Sequence, residues 1–244
     1  FGDGARLRRG FDSLHPLMRL FLASSIDKTI SGLKLKIPDL GFGTKVLFIT
    51  NAADTYENTW WIDLDRKAFM ELGWEIIDTD LRKLSKDEFK SQLENADIIH
   101  VCGGSVLYLI NLLKEKGLDK ILAEAILQNK IIYTGTSAGS MIVAKDLRFS
   151  AYDEEEAKFV PETKNFDGLG LVDFYIIPHC QNAEFVTSTL KMIEHLPENK
   201  FPIFLINIFS SKITFISSSP QGALLTYVKL SPVFALKIFP SIPG

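Results

Sequence analysis

Short apolar runs alternate with longer amphipathic segments along the first two thirds of the chain. The run at 45–50 is rich in β-branched residues and predicts a buried strand, and the segment 59–72 carries apolar residues at helical spacing. The same pattern predicts further strands at 18–25, 74–78, 97–101, 130–134 and 173–178, and helices at 85–95, 105–116, 118–128 and from 138. This alternation predicts an α/β fold, a three-layer sandwich with a mostly parallel sheet and helices on both faces.

Two glycine-bearing turns follow predicted strands of this sheet. They lie at 102–105 (Cys-Gly-Gly-Ser) and 135–139 (Gly-Thr-Ser-Ala-Gly). Functional sites of parallel sheets lie at the carboxyl ends of the strands. The sequence therefore predicts that these two turns contribute to one site.

The second turn matches the G-x-S-x-G pattern between a strand and a helix, which is the context of a nucleophile elbow. In such a turn the hydroxyl of Ser137 is exposed, and the N–H of Ala138 lies at a helix start, where it can stabilise an oxyanion. An ordinary glycine-rich turn or a phosphate-binding loop shows the same pattern. The flanking strand and helix favour the nucleophile.

A nucleophilic serine needs a general base, and His179 follows a predicted strand at the same sheet edge. His100 lies within an apolar strand and is expected to be packed in the core, while His15 and His195 lie away from this edge. The run 153–156 offers four carboxylates, one of which is expected to turn inward to orient the imidazole, with Asp146 and Asp173 as weaker alternatives.

The glycine pair of the first turn supplies a second oxyanion donor. We expect the N–H of Gly104 to act together with that of Ala138, although a tight turn without chemical role gives the same pattern.

The two cysteines are not expected to take part in catalysis. Cys102 ends a buried strand and is expected to be part of the core. Cys180 is expected to face away from its neighbour His179, because successive strand residues alternate sides.

The composition and charge of the chain limit the classes of function that it can have. The 244 residues are 46% hydrophobic and 23% charged, which is typical of a globular protein, and the net charge of −3 disfavours nucleic acid. Two cysteines and four histidines show no zinc-site spacing, so we expect neither metal nor cofactor. No apolar stretch reaches the roughly 18 residues that span a bilayer, and Arg19 interrupts a signal-peptide-like run, so a cytoplasmic location is expected.

The two ends of the chain differ from its middle. We expect one domain at 18–206 and an extension at 1–17 that lies outside the fold. The segment 207–244 is atypical, because residues 201–244 contain three lysines but no Asp, Glu or Arg. A terminal β-hairpin with an apolar tail and an aberrant chain end both fit this composition. Exposed apolar residues in the tail fit either a homodimer interface or poor solubility.

Three motifs in order resemble the dipeptidase E (aspartyl dipeptidase)/cyanophycinase family of serine peptidases. They are the turn 102–105, the elbow 135–140, and the segment 168–179 (Gly-Leu-Gly-Leu-Val-Asp-Phe-Tyr-Ile-Ile-Pro-His). The resemblance covers residues 18–206 and implies a fold similar to class I glutamine amidotransferases, with serine in place of their cysteine. It departs at Ser105, where the family commonly has Asn, and after residue 207.

This resemblance implies site roles. Ser137 would be the nucleophile, His179 the base, and the amides of Gly104 and Ala138 the oxyanion hole. The acidic residue of the family falls in a window that holds Asp153, Glu154 and Glu155, and we favour Asp153, then Glu154. Aspartyl dipeptidases hold the acidic substrate side chain with a basic residue, and the segment after His179 has none before Lys191.

The sequence therefore predicts a serine-type peptidase or amide hydrolase that acts on small peptides. Asp-X dipeptides are a substrate class that the resemblance implies. Two alternatives stay open, a non-catalytic binding member of the same fold and a glutaminase-like amidotransferase domain, although the latter would need Cys at position 137.

Overall fold

The computed structural model describes residues 18–34, 43–180, 182–197, 202–205, 217–219 and 222–224, and a five-stranded parallel sheet lies at its centre. The strands of this sheet are β1 (Leu20–Ala23), β2 (Lys45–Ile49), β3 (Glu75–Thr79), β4 (Ile98–Val101) and β5 (Ile132–Thr136). Their order is β1-β5-β4-β2-β3, and every neighbouring pair is parallel. All five strand ends therefore meet at one edge, where the predicted site lies.

Helices cover both faces of the sheet. Residues 30–34 are helical (α1), and the other helices are α2 (Trp60–Glu71), α3 (Lys86–Glu94), α4 (Val106–Lys116), α5 (Asp119–Leu127), α6 (Ala138–Met141) and α7 (Val186–Glu194). Alternate residues of β2 enter different apolar clusters: Leu47 packs with α4 and α5, and Phe48 packs with α2. Two cores separated by one sheet confirm the predicted three-layer α/β fold.

Local signals place most of these helices where the sequence predicts them. Ser85 and Glu88 form a reciprocal capping box at the start of α3, and Gly117 ends α4 in the left-handed conformation with φ 66°. The strand β5 begins later than predicted and continues through Gly135 and Thr136. The helix α6 is only four residues long.

The backbone after α6 pairs with a distant segment. The carbonyls of Ile142 and Val143 accept hydrogen bonds from the N–H groups of Leu169 and Leu171, at 2.7 and 2.9 Å. The chain beyond α6 therefore bonds to the segment 169–171 instead of continuing as a helix. The turn after the elbow is thereby fixed to the segment that leads into the next strand.

His100 lies beneath α2 and forms buried polar contacts there. The sequence predicted only that this residue is packed in the core. Its Nδ1 lies 2.9 Å from Thr134 Oγ1, and its Nε2 lies 3.1 Å from Asp65 Oδ2. The hydroxyl of Thr134 also lies 3.1 Å from the carbonyl of Ile99. Both ring nitrogens of His100 therefore have a buried hydrogen-bond partner.

The C-terminal part pairs separately from the central sheet. β6 (Tyr175–Ile177) pairs in parallel with β7 (Pro202–Phe204), and β8 (Ser217–Ser219) pairs in antiparallel with β9 (Gly222–Leu224). The predicted extension 1–17 and most of 207–244 lie outside the described residues, so the domain division stays a prediction. Among the described residues, no helix is both long and apolar enough to cross a membrane.

Candidate active site

Ser137 lies between β5 and α6 in an unusual backbone conformation, with φ 50° and ψ −111°. A positive φ is uncommon for a residue with a Cβ atom. A Cβ on Gly135 would lie 2.5 Å from the backbone of Gly139, and a Cβ on Gly139 would lie 2.1 Å from the carbonyl of Val101. The flanking glycines are therefore required by close backbone contacts, as the elbow motif predicts.

Two buried side chains that the sequence pattern did not single out hold this turn. The hydroxyl of Ser140 lies 3.0 Å from the N–H of Ala23 and 2.7 Å from the carbonyl of Gly135. The phenol of Tyr133 donates to the carbonyl of Gly139 at 2.5 Å. These bonds tie the elbow to β1 and to its own strand.

His179 contacts the hydroxyl of Ser137. Its Nε2 lies 2.8 Å from Ser137 Oγ, and its ring stacks on Phe185 with 4.7 Å between ring centroids. The residue has φ 57°, and its N–H donates to Ser24 Oγ at 3.1 Å. Burial lowers the pKa of His179, so the neutral imidazole that a general base needs is favoured.

The predicted acidic residues lie elsewhere. Asp153 Oδ1 accepts from the N–H of Glu155 at 2.8 Å, and the exposed Glu154 pairs with Lys191 at 2.7 Å. In the described part of the chain, neither carboxylate forms a hydrogen bond with His179. The residue that orients the imidazole therefore stays a prediction.

The carboxylate of the acidic run that turns inward is Glu156, and its partners lie at the start of α4. Glu156 is 7% exposed, and it accepts hydrogen bonds from Ser105, Val106 and Leu107. Burial raises the pKa of its carboxyl to about 7, against the lowering effect of these bonds. From the sequence, one carboxylate of the run 153–156 is expected to turn inward and contact His179. Glu156 does turn inward, but it contacts the start of α4 and not His179.

The glycine pair lies directly beside the nucleophile. A Cβ on Gly103 would lie 3.1 Å from Ser137 Cβ, and a Cβ on Gly104, whose φ is 146°, would lie 2.2 Å from the carbonyl of Ala52. Ala138 is the first residue of α6, so its N–H has no acceptor within the helix. Within the described residues the N–H of Gly104 has no acceptor either. Both amides are thus free to bind an oxygen.

Aromatic side chains flank this turn on the side of α2. The indole N–H of Trp61 donates to the carbonyl of Gly103 at 3.0 Å. Trp61 also contacts the rings of Tyr56 and Trp60, and Trp60 is 60% exposed. The turn therefore lies next to an accessible aromatic surface.

Within the described residues, one group of side chains has the composition of a metal site: Asp65, His100 and Cys102. All three are buried, and burial raises the pKa of the Cys102 thiol well above its usual value. A metal binds the thiolate, so a protonated thiol is a poor ligand. The hydrogen bond between His100 and Asp65 already accounts for their contact.

Comparisons with known proteins show the family of this chain. The model of the Peptidase family S51 matches residues 28–207. The uncharacterized peptidase Lmo0363 of Listeria monocytogenes is 33% identical over 72% of this chain and 85% of its own length. Peptidase E of a Nostoc species is 34% identical over 57% of this chain and 53% of its own.

A solved structure shows the same fold. A Listeria monocytogenes crystal structure, described as a candidate Peptidase E protein, superposes with a TM-score of 0.72 and 26% identity. The match covers 85% of this chain and 97% of the Listeria chain. The family match and the shared fold, together with a serine and a histidine in contact at the sheet edge, show that this chain belongs to peptidase family S51 and is a serine-type peptidase.

Proposed function

We propose that the chain hydrolyses small peptides through an acyl-enzyme on Ser137. The observation that carries the proposal is the 2.8 Å contact between His179 Nε2 and Ser137 Oγ. The hydroxyl oxygen attacks the scissile carbonyl while Nε2 takes its proton, and the imidazolium then gives this proton to the leaving amine. Water, deprotonated by the same nitrogen, then displaces the acyl group and restores the hydroxyl of Ser137.

The N–H groups of Gly104 and Ala138 form the oxyanion hole in this proposal. Gly103 lies against the Cβ of Ser137, which brings the glycine pair to the carbonyl under attack. Ala138 follows the nucleophile directly at the start of α6, which is where an elbow of this kind supplies an oxyanion donor. Both donors belong to the backbone, which makes the hole rigid before substrate binds.

For the residue that orients His179 we propose Asp153 first and Glu154 second. Both follow the serine in the window that the family resemblance implies. Asp153 would exchange its bond to the Glu155 N–H for the imidazole, and Glu154 would leave Lys191. Asp153→Asn should then lower kcat, while Glu154→Gln should leave it unchanged. If Glu154→Gln lowers kcat and Asp153→Asn leaves it unchanged, the role belongs to Glu154.

The substrate class follows from the family and from the surroundings of the site. Relatives are named Peptidase E, which supports a peptide substrate, and the resemblance to the dipeptidase E family implies a short one. Asp-X dipeptides are one candidate class, and the aromatic surface of Trp60 and Trp61 favours dipeptides with an apolar residue as another. We further propose a cytoplasmic enzyme, because both cysteines are free thiols, and a homodimeric one.

A dipeptide library with variants of both contacting residues tests this function. Ser137→Ala removes the nucleophile. His179→Asn removes the base but suits the backbone, since Asn tolerates a positive φ better than most other non-glycine residues. We expect turnover to fall by about 10²–10⁴ in the histidine variant and at least as much in the serine variant. Unchanged turnover in either folded variant would contradict the mechanism, and ammonia release from free glutamine would favour the amidotransferase alternative.

A further inference from the structure

The first turn of α4 has an acceptor for every backbone N–H. Ser105 N–H donates to the carbonyl of Ala52 at 2.8 Å, and Tyr108 N–H donates to the Ser105 hydroxyl at 3.1 Å. The two N–H groups between them, of Val106 and Leu107, donate to Glu156 at 2.7 and 2.9 Å. An isolated helix leaves these groups without partners, so the start of α4 is held unusually firmly.

Glu156 supplies both of its oxygens to this turn from a segment about fifty positions away. Oε1 accepts from Val106, while Oε2 accepts from Leu107 and from the hydroxyl of Ser105 at 2.8 Å. The carboxylate also lies at the positive end of an eleven-residue helix, which favours its charge. A long-range contact with three donors fixes the helix start in position and in orientation.

The residue just before this turn is Gly104, whose N–H has no hydrogen-bond acceptor among the described residues. Its backbone is confined on one side by Ala52 and on the other by the first turn of α4. The position of the Gly104 amide therefore depends on how firmly that turn is held. A small displacement of an oxyanion donor is sufficient to lower a rate by one or two orders of magnitude.

We propose that Glu156 is a positioning residue of the peptidase reaction, which fixes the Gly104 amide by holding the first turn of α4. This role rests on the proposed function of Gly104 and Ser137. Glu156 acts through Ser105, Val106 and Leu107. Its loss should weaken stabilisation of the tetrahedral intermediate more than binding of the peptide.

Glu156→Gln tests this role, because a glutamine has one acceptor oxygen and loses at least one of the backbone contacts. The matched control is Glu162→Gln, which neutralises an exposed glutamate six positions along the same segment. For Glu156→Gln we expect kcat to fall about 10- to 100-fold with KM changed less than threefold. For Glu162→Gln we expect both constants to stay within twofold of those of the unmodified protein.

A second readout separates positioning from general loosening of the fold. The probe is a dipeptide aldehyde, which forms a tetrahedral adduct with a serine and places its oxygen in the oxyanion hole. Its inhibition constant should rise by the same factor by which Glu156→Gln lowers kcat. A folded Glu156→Gln variant with unchanged kcat and unchanged aldehyde inhibition would overturn the proposal.

Two further variants keep the outcomes distinct. If Glu156→Gln does not fold, Ser105→Ala takes its place, because it removes one donor to Glu156, and kcat should fall with KM unchanged. A Ser105→Ala variant with unchanged kcat would then refute the proposal.

Ser137→Ala is measured in the same series. If it is inactive while Glu156→Gln is normal, only the positioning role fails. If it retains activity, the proposed function itself fails.

Discussion

The backbone of Ser137 is strained, and glycine at this position should relieve the strain. Its φ of 50° with ψ −111° lies where a Cβ atom is disfavoured. Ser137→Gly and Ser137→Ala both remove the hydroxyl and its contact with His179. The stability lost with this contact is therefore the same in both variants. Their difference in stability therefore reports the strain that a Cβ introduces at the elbow.

The magnitude follows from two opposing terms. A non-glycine residue in such a conformation costs about 1–3 kcal/mol, and glycine costs about 0.4–1 kcal/mol more than alanine in lost chain entropy. Ser137→Gly should therefore be more stable than Ser137→Ala by about 1 kcal/mol. Ser91, an exposed residue within α3, provides the control, because glycine there should be less stable than alanine by about 1 kcal/mol.

Urea unfolding of the four variants, followed by circular dichroism, measures the two differences. Opposite signs at positions 137 and 91 would confirm that the nucleophile is held under strain. If glycine is the less stable residue at both positions, the elbow carries no strain and the reasoning is wrong.

Two further predictions concern His100 and His179. Asp65→Asn should change the free energy of unfolding by less than about 1 kcal/mol, because an amide can both donate to and accept from Nε2 of His100, whereas Asp65→Ala leaves Nε2 without this partner and should cost about 1–3 kcal/mol. Equal losses in urea unfolding would show that this hydrogen bond does not stabilise the fold. Because burial lowers the pKa of His179 and the base must be neutral, kcat/KM should persist as pH falls to about 6.5 and decline only below it. A decline centred above pH 7 would contradict this assignment.

Local periodicity was sufficient to predict the sheet and the edge that carries the site. The contact between Ser137 and His179 followed from placing both residues at carboxyl ends of strands, although β6, which precedes His179, pairs with β7 and not with the central sheet. The glycine requirement at position 139 followed from the elbow motif. These predictions use only short-range pattern and the geometry of parallel sheets.

Long-range partners could not be predicted in the same way. Glu156 was one of four adjacent carboxylates, and nothing local distinguishes the member that caps a helix fifty positions away. Asp65 is a polar residue within α2, and its burial against His100 depends on how α2 crosses β4. The backbone after α6 bonds to the segment 169–171, a long-range pairing that the elbow motif does not reveal.

Covalent labelling tests the central claim most directly. The unmodified protein, Ser137→Ala and His179→Asn are treated with a fluorophosphonate, and the adduct is located by mass spectrometry. A single adduct on Ser137, slowed by about 10² or more in His179→Asn, is the result expected of a serine that the histidine activates. An unlabelled but folded protein, or an adduct that persists in Ser137→Ala, would contradict the account.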